Sequence, residues 1–166
     1  MRVMGIDCGT EYTGYGLVEQ AGRELRYVHC GAVKQSKKLT FGERLMQVHA
    51  ELAEQIRVHA PDVVAIEEVF YSVNAKSALK LGQVRGVAML AATQAALPIA
   101  EYAPLSVKSA VVGYGMAEKT QVQFMVAKLL ALPSLPEPFD ASDALAIAIC
   151  HIHTAATLQR QVGAGR

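Results

Sequence analysis

Two short apolar runs, each ending in acidic residues, stand out in the pattern of hydrophobic and polar positions. Residues 3–6 contain no polar side chain and lead into Asp7, and residues 63–66 lead in the same way into Glu67. A short run of this kind is typical of a strand that is buried on both faces. The pattern therefore predicts two buried strands, each of which delivers a carboxylate at its end.

The rest of the pattern predicts further strands and several helices. Gly9 and the strand-like segment that starts at Thr13 indicate a hairpin with Asp7 near its mouth, followed by a third strand over residues 24–34. Thr40 and Glu43 form a capping box for a helix over 41–59. Beyond the second acidic strand, we predict a helix over 75–96, a strand within 98–103, helices over 107–112 and 118–130, a loop over 133–138 and a helix from 139 to about Ala156.

This order of elements predicts an α/β fold. The initial hairpins require antiparallel pairing, whereas a strand, a crossover helix and a further strand imply parallel pairing. We therefore expect a mixed five-stranded sheet flanked by helices. The 166 residues fit one domain, which we place at 1–157, with a flexible C-terminal tail at 158–166.

Composition and charge exclude several classes of protein. The chain is 52% hydrophobic and 19% charged, which favours a folded globule over a disordered one. Its formal net charge of +1 predicts no general attraction to polyanions, so such a partner must be bound by a local patch. The three cysteines, Cys8, Cys30 and Cys150, have no CxxC spacing, as in reduced cytoplasmic proteins. Without a secretory signal or an apolar stretch of about 20 residues, we expect a cytoplasmic protein with no membrane partner.

Four carboxylates form the candidate site: Asp7, Glu67, Asp140 and Asp143. Asp140 and Asp143 are three residues apart, which places both on one face of the first turn of the last helix. Four ionised carboxylates side by side require a cation, and hard divalent ions prefer oxygen ligands. Two such ions about 4 Å apart can activate water and stabilise the leaving oxygen of a phosphodiester. For any single acid, a helix cap or a solvated strand end remains the simpler explanation, but not for the set.

At this point the chain resembles the RuvC-type Holliday-junction resolvases over residues 2–153. The matching blocks are 5–9 (Gly-Ile-Asp-Cys-Gly), 13–16 (Thr-Gly-Tyr-Gly), 65–70 (Ala-Ile-Glu-Glu-Val-Phe), 74–83 (Asn-Ala-Lys-Ser-Ala-Leu-Lys-Leu-Gly-Gln), 107–108 (Val-Lys), 117–119 (Ala-Glu-Lys) and 140–148 (Asp-Ala-Ser-Asp-Ala-Leu-Ala-Ile-Ala). The resemblance implies an RNase H-like fold and a homodimer that uses Mg²⁺, two ions per site with Mn²⁺ as a substitute. It also implies paired symmetric nicks in four-way DNA junctions, and a RuvA-RuvB branch-migration complex as a partner.

The resemblance assigns roles to individual residues. The four acids become metal ligands, and Lys108 and Lys119 become catalytic lysines near the scissile phosphate. An aromatic at Phe70 resembles a wedge against unstacked junction bases, with Tyr71 beside it. We assign DNA contacts to these two aromatics and to three basic residues of the long helix, Lys76, Lys80 and Arg85.

Three details complete the assignment. Cys8 stands where many relatives have proline, and we interpret it as a small packed residue. We interpret Glu68 as either a surface group or a neighbour of the four acids. The apolar surface of residues 78–96 exceeds what one helix usually buries under a sheet, and we predict that part of it forms the dimer interface.

Two alternatives belong to other classes. Residues 5–10 (Gly-Ile-Asp-Cys-Gly-Thr) also resemble the first phosphate loop of sugar kinases and actin-like ATPases, but those proteins need two such domains and a glycine-rich adenosine segment. The other alternative is a junction-binding module without catalysis, which the presence of all four acids argues against.

Overall fold

A mixed five-stranded sheet forms the centre of the protein in a computed structural model, which describes residues 1–68 and 75–164, with side chains up to residue 157. The strands are β1 (Arg2–Asp7), β2 (Tyr12–Ala21), β3 (Glu24–Lys34), β4 (Val63–Glu67) and β5 (Ile99–Tyr102). Their spatial order is β3-β2-β1-β4-β5. The β1–β2 and β2–β3 pairs are antiparallel, and the β1–β4 and β4–β5 pairs are parallel. The predicted mixed sheet is confirmed.

Helices cover both faces of this sheet. They are α1 (Phe41–His59), α2 (Ala75–Gln94), α3 (Pro104–Val112), α4 (Lys119–Leu129) and α5 (Phe139–Ala164). One core cluster lies between the sheet and α3, α4 and α5, and includes Val3, Ala65 and Leu145. A second cluster lies between the opposite face and α1 and α2, and includes Ile66 and Leu52. In the described part of the chain, no helix combines the length and the apolar character needed to cross a bilayer.

The observed helix ends agree with the predicted ones where a local signal exists. Thr40 and Glu43 form both hydrogen bonds of the predicted capping box, and α1 has the predicted bounds. The α3 helix starts at Pro104 rather than at residue 107, because proline is well suited to a first helical turn. The prediction that α5 ends near Ala156 is wrong, since the helix continues to Ala164. A flexible tail at 158–166 stays a prediction.

Two glycines allow α5 to pack directly on the backbone of β1 and β2. A Cβ at Gly5 would collide with the carbonyl oxygen of Ala144, and a Cβ at Gly14 would collide with the carbonyl oxygen of Asp140. Only the missing side chain permits this approach. The start of α5 is therefore held against the end of β1, where Asp7 lies.

Candidate active site

The first two acids lie at the ends of neighbouring strands. Asp7 ends β1 and Glu67 ends β4, and the parallel register pairs Ile6 with Ile66, one residue before each. Adjacent strands are about 4.8 Å apart, so the two carboxylates start from neighbouring positions. Because side chains alternate, Glu67 shares the face of Ala65, which packs in the α5 core cluster. Both acids therefore project towards α5.

The other two acids come from the N-terminal end of α5, with Asp140 in its first turn and Asp143 three residues further on. Asp143 reaches the space in front of Asp7 and Glu67, and it lines with them a cavity of about 160 Å³. The remaining lining residues of this cavity are Pro104, Val107, Lys108, Lys119, Val122 and Ala146. Asp140 is not among them: its Oδ1 lies beside the Gly9 turn, 3.9 Å from the position a Cβ of Gly9 would take. The structure thus brings three acids and both lysines together, with Asp140 at the margin.

Burial, together with the close approach of these acids, raises the pKa of Asp7 and Glu67. Burial, followed by the charges of Asp143 and Glu67, raises the pKa of Asp7 from 3.8 to about 7, although Lys119 partly offsets the rise. Burial and the charge of Asp143 also raise the pKa of Glu67, against the opposing effect of Lys119 and Lys108. The cluster therefore holds more negative charge than its own cations neutralise.

Lys119 is the cation in direct contact with the acids. Its Nζ donates a hydrogen bond of 2.9 Å to Oδ2 of Asp143. Burial lowers the pKa of Lys119, but the hydrogen bond and the charge of Asp143 outweigh burial, and the net effect is a raised pKa. The lysine stays protonated and can face a phosphate that enters the cavity.

The donor set fits a divalent metal ion. Among the side chains that the structure describes, no three His, Cys, Asp or Glu residues are placed closely enough to hold a metal ion as they stand. Asp7, Glu67 and Asp143 nevertheless line one cavity, where burial and then the charges of the other two acids raise the pKa of Asp7. Carboxylate oxygens suit hard cations such as Mg²⁺. Asp7, Glu67 and Asp143, joined by Asp140 from the margin, would hold such an ion.

Arg85 makes contacts that its predicted DNA-binding role did not include. Its side chain is 18% exposed, its guanidinium pairs with Glu101 of β5, and its Nε donates to the backbone carbonyl of Glu67 at 3.3 Å. Arg85 therefore stabilises the end of β4 through the backbone of Glu67. A contact of Arg85 with DNA stays a prediction.

The remaining predicted DNA contacts are less defined. Lys80 is exposed, with its Nζ 5.6 Å from the centre of the Phe41 ring. Lys76 lies in the exposed first turn of α2. Phe70 and Tyr71 lie outside the described residues.

Cys8 follows Asp7 directly and is unsuited to a nucleophilic role. It packs against the core cluster under α1 and α2. Burial and the charge of Asp7 raise the pKa of its thiol to about 12, so the thiolate is scarce at neutral pH. The interpretation of Cys8 as a packed residue agrees with this environment, and all three cysteines are free thiols.

Sequence reasoning missed Gln35, which connects the end of β3 to the turn after Asp7. Gln35 is 3% exposed, and its Nε2 donates to the carbonyl of Gly9 at 2.6 Å and to Oγ1 of Thr13 at 3.2 Å. Thr13 Oγ1 donates to the same carbonyl at 3.2 Å. One glutamine in a polar loop carries no sequence signal for such a role.

A mixed sheet with acids at two central strand ends and at the start of a facing helix defines an RNase H-like nuclease. The family model for "Crossover junction endodeoxyribonuclease RuvC" matches residues 3–151. The RuvC protein of Koribacter versatilis is 63% identical over 161 residues, 96% of this chain and 97% of its own length. That of Acidobacterium capsulatum is 64% identical over 168 residues, with 97% and 98% of the two chains covered.

The solved structure of Thermus thermophilus RuvC with a Holliday-junction substrate superimposes with a TM-score of 0.88 at 37% identity, covering 93% of this chain and 94% of that one. The chain belongs to the RuvC family of crossover junction endodeoxyribonucleases. This membership confirms the resemblance and the nuclease class, and it rules against the kinase-like alternative.

Proposed function

We propose that this protein resolves four-way DNA junctions by paired symmetric nicks, using Mg²⁺, in recombination and repair. The observation that carries the proposal is the cavity in which Asp7, with a pKa raised to about 7, lies beside Glu67, Asp143 and two lysines. Family membership supports the same reaction, and the Thermus thermophilus relative is described in complex with a Holliday-junction substrate.

The acids and the lysines of the site have different proposed roles. Asp7 and Glu67 are fixed on adjacent strands, and the close packing of α5 on β1 and β2 holds the helical acids in front of them. Mg²⁺, when bound, would supply Lewis-acid activation of the phosphodiester and of the attacking water. We propose two ions per site, for which Mn²⁺ can substitute. Lys108 and Lys119 line the same cavity and would offset the charge that develops on the phosphate. Hydrolysis would leave 5′-phosphate and 3′-hydroxyl ends.

A homodimer would supply the second nick. Leu79 and Leu90 of α2 are 71% and 50% exposed, and a spacing of 11 residues places them on the same face of the helix. Val84 and Ala88 of the same helix are buried in the core, so α2 presents apolar surface on two sides. A two-fold axis through the exposed side would place two sites on strands of like polarity.

We propose the remaining substrate contacts from the resemblance to the family. Phe70 and Tyr71 would stack on unpaired bases at the junction centre, and Lys76, Lys80 and Arg85 would follow the phosphate backbone. A RuvA-RuvB branch-migration complex and a cytoplasmic location complete the proposal.

Cleavage of a labelled synthetic four-way junction, compared with a linear duplex of the same sequence, tests this function. With Mg²⁺ we expect paired nicks at symmetry-related positions of the junction, little cutting of the duplex and no cutting in EDTA. End analysis should show 5′-phosphates. Equal cleavage of both substrates, or cleavage in EDTA, would contradict the proposal.

A further inference from the structure

A basic groove lies beside the active site, at the outer ends of β2 and β3. It has a volume of about 500 Å³ and is separate from the acidic cavity. Its lining residues are Glu11, Tyr12, Lys34, Gln35, Ser36, Lys37 and Lys38. Three lysines against one glutamate make this groove a cationic patch on a chain whose overall charge is close to neutral.

The strand register locates the groove relative to Asp7. Asp7 pairs with Gly14, Gly14 pairs with Ala32, and the pair Tyr12–Lys34 lies two residues further out. From strand geometry, the Cα atoms of Lys34 and Asp7 are roughly 12 Å apart. At about 3.4 Å per nucleotide step, that distance corresponds to three or four nucleotides along a DNA strand.

Two of the residues that line the groove, Tyr12 and Lys34, belong to the same side of the sheet as the acids. Tyr15 and Val33 pack in the core cluster under α1 and α2, on the opposite face. Because side chains alternate along a strand, Tyr12 and Lys34 project to the face of Gly14, against which α5 packs. A strand of DNA in the active site would therefore meet Lys34 without crossing the sheet.

The loop that carries the other lysines is held in place by hydrogen bonds. Gln35 bonds the carbonyl of Gly9 through its side chain, and its backbone N–H donates to the carbonyl of Glu11 at 2.9 Å. Arg44 of α1 donates to the carbonyl of Leu39 at 3.1 Å. The lysines are thus presented by an ordered loop that is attached to the turn after Asp7.

The three lysines differ in their existing partners. Lys37 pairs with Glu11 at 2.6 Å. Lys34 is exposed and lies 5.9 Å from the centre of the Tyr12 ring, and Lys38 is exposed; within the described residues, neither has an acidic group within 4 Å. Lys34 and Lys38 can therefore bind an external anion without first breaking an ion pair to a described residue.

From this arrangement we propose that Lys34 and Lys38 bind the sugar-phosphate backbone of the DNA strand that leaves the active site, a few nucleotides from the scissile phosphate. The proposal rests on the proposed function, since it assigns a further contact to the same substrate. An elongated polyanion fits better than a small one, because the lysines of the groove are spread over the end of β3 and the loop that follows it. Neither residue reads bases, so the contact contributes affinity without sequence preference.

Equilibrium binding to a labelled four-way junction and to a linear duplex, measured with Ca²⁺ in place of Mg²⁺ over a range of salt concentrations, tests the proposal. We compare Lys34→Gln/Lys38→Gln with Arg23→Gln/Arg26→Gln, which removes two exposed charges at the far end of the same hairpin. The lysine variant should bind both DNAs roughly tenfold more weakly at about 0.1 M salt, with a log–log salt slope shallower by about 2. The arginine variant should bind like the wild type.

The outcomes separate this proposal from the proposed function. If the wild-type protein nicks junctions but the lysine variant matches the arginine variant in affinity and slope, only the basic groove is refuted. If the wild-type protein neither binds nor nicks junctions, both are refuted. Thermal melting of the two variants shows whether either affinity change reflects unfolding.

Discussion

The Nζ of Lys119 lies 2.9 Å from Oδ2 of Asp143, so the first residue of α4 forms an ion pair with the N-terminal end of α5 at the wall of the acidic cavity. Burial raises the pKa of both Asp7 and Glu67, and the same ammonium group offsets part of that rise. Lys119 therefore links the charge state of the acids to the position of α4.

Replacing Lys119 should change both the titration of the acids and the rate of nicking. In Lys119→Met, we expect the pKa of Asp7 in metal-free protein to rise above about 7, because its nearest compensating charge is removed. Nicking should fall by about 100- to 1,000-fold, as expected for the loss of one group that stabilises charge developing on the phosphate. NMR titration of the Asp7 carboxyl and single-turnover nicking measure the two effects.

Lys128→Met provides the control for Lys119, since Lys128 is exposed on the same helix, 5.3 Å from the centre of the Phe124 ring. It should leave the titration and the nicking rate unchanged. An unaltered pKa of Asp7 in Lys119→Met would contradict the assigned coupling.

The raised pKa of Asp7 predicts a pH-dependent cost to the metal-free fold. The folded pKa of about 7 lies above the ordinary value of 3.8, so folding favours the protonated acid and stability falls as pH rises between these values. Asp7→Asn removes the cost and should raise the free energy of unfolding at pH 8 by up to about 4 kcal/mol, with the gain vanishing towards pH 4. Chemical denaturation in EDTA at both pH values measures it; equal gains at both would refute the assigned pKa shift.

The close packing of α5 on β2 predicts that Gly14 is intolerant of a side chain. A Cβ there would meet the carbonyl of Asp140, so Gly14→Ala must displace the helix start that carries two of the acids. We expect a loss of about 1–3 kcal/mol in the free energy of unfolding. Gly42→Ala is the control, because no atom lies within 4 Å of its Cβ position and alanine favours a helix. Similar stability of the two variants would contradict the packing argument.

Gln35 is predicted to position the turn after Asp7 rather than to contact the substrate. Hydrogen-bond partners of metal ligands typically change metal affinity by about 10- to 100-fold, and Gln35, which bonds the turn beside Asp7 and not Asp7 itself, should act at the lower end of that range. In Gln35→Met, we therefore expect nicking to need roughly tenfold more Mg²⁺ for half-maximal rate. Gln55→Met, which removes a bond of 2.9 Å to Glu51 on α1, should not shift the Mg²⁺ requirement. An equal requirement in both variants would leave Gln35 without a positioning role.

Local pattern was enough to predict the elements whose determinants lie within a few residues. The apolar runs before Asp7 and Glu67 and the capping box at Thr40 are of this kind, and the corresponding elements are present as predicted. The C-terminal end of α5 was not predictable in this way, because residues 157–162 contain no helix-breaking glycine or proline.

The sequence did not predict the roles of residues whose partners are distant along the chain. Arg85 pairs with Glu101, 16 residues away on β5, and a sequence pattern on α2 alone suggested only an exposed cation. Gln35 bonds Gly9, 26 residues away. The alternation of side chains along β4, in contrast, does distinguish the environments of two adjacent acids. Glu67 shares the face of Ala65 and lines the cavity, whereas Glu68 follows the strand and is exposed.

That difference between neighbouring glutamates gives the most direct test of the proposed metal site. Nicking of a four-way junction with Mg²⁺, alongside junction binding, is measured for Glu67→Gln and Glu68→Gln. We predict that Glu67→Gln loses at least about a hundredfold in nicking rate while it still binds the junction, and that Glu68→Gln nicks close to the wild-type rate. Wild-type nicking by Glu67→Gln would contradict the account.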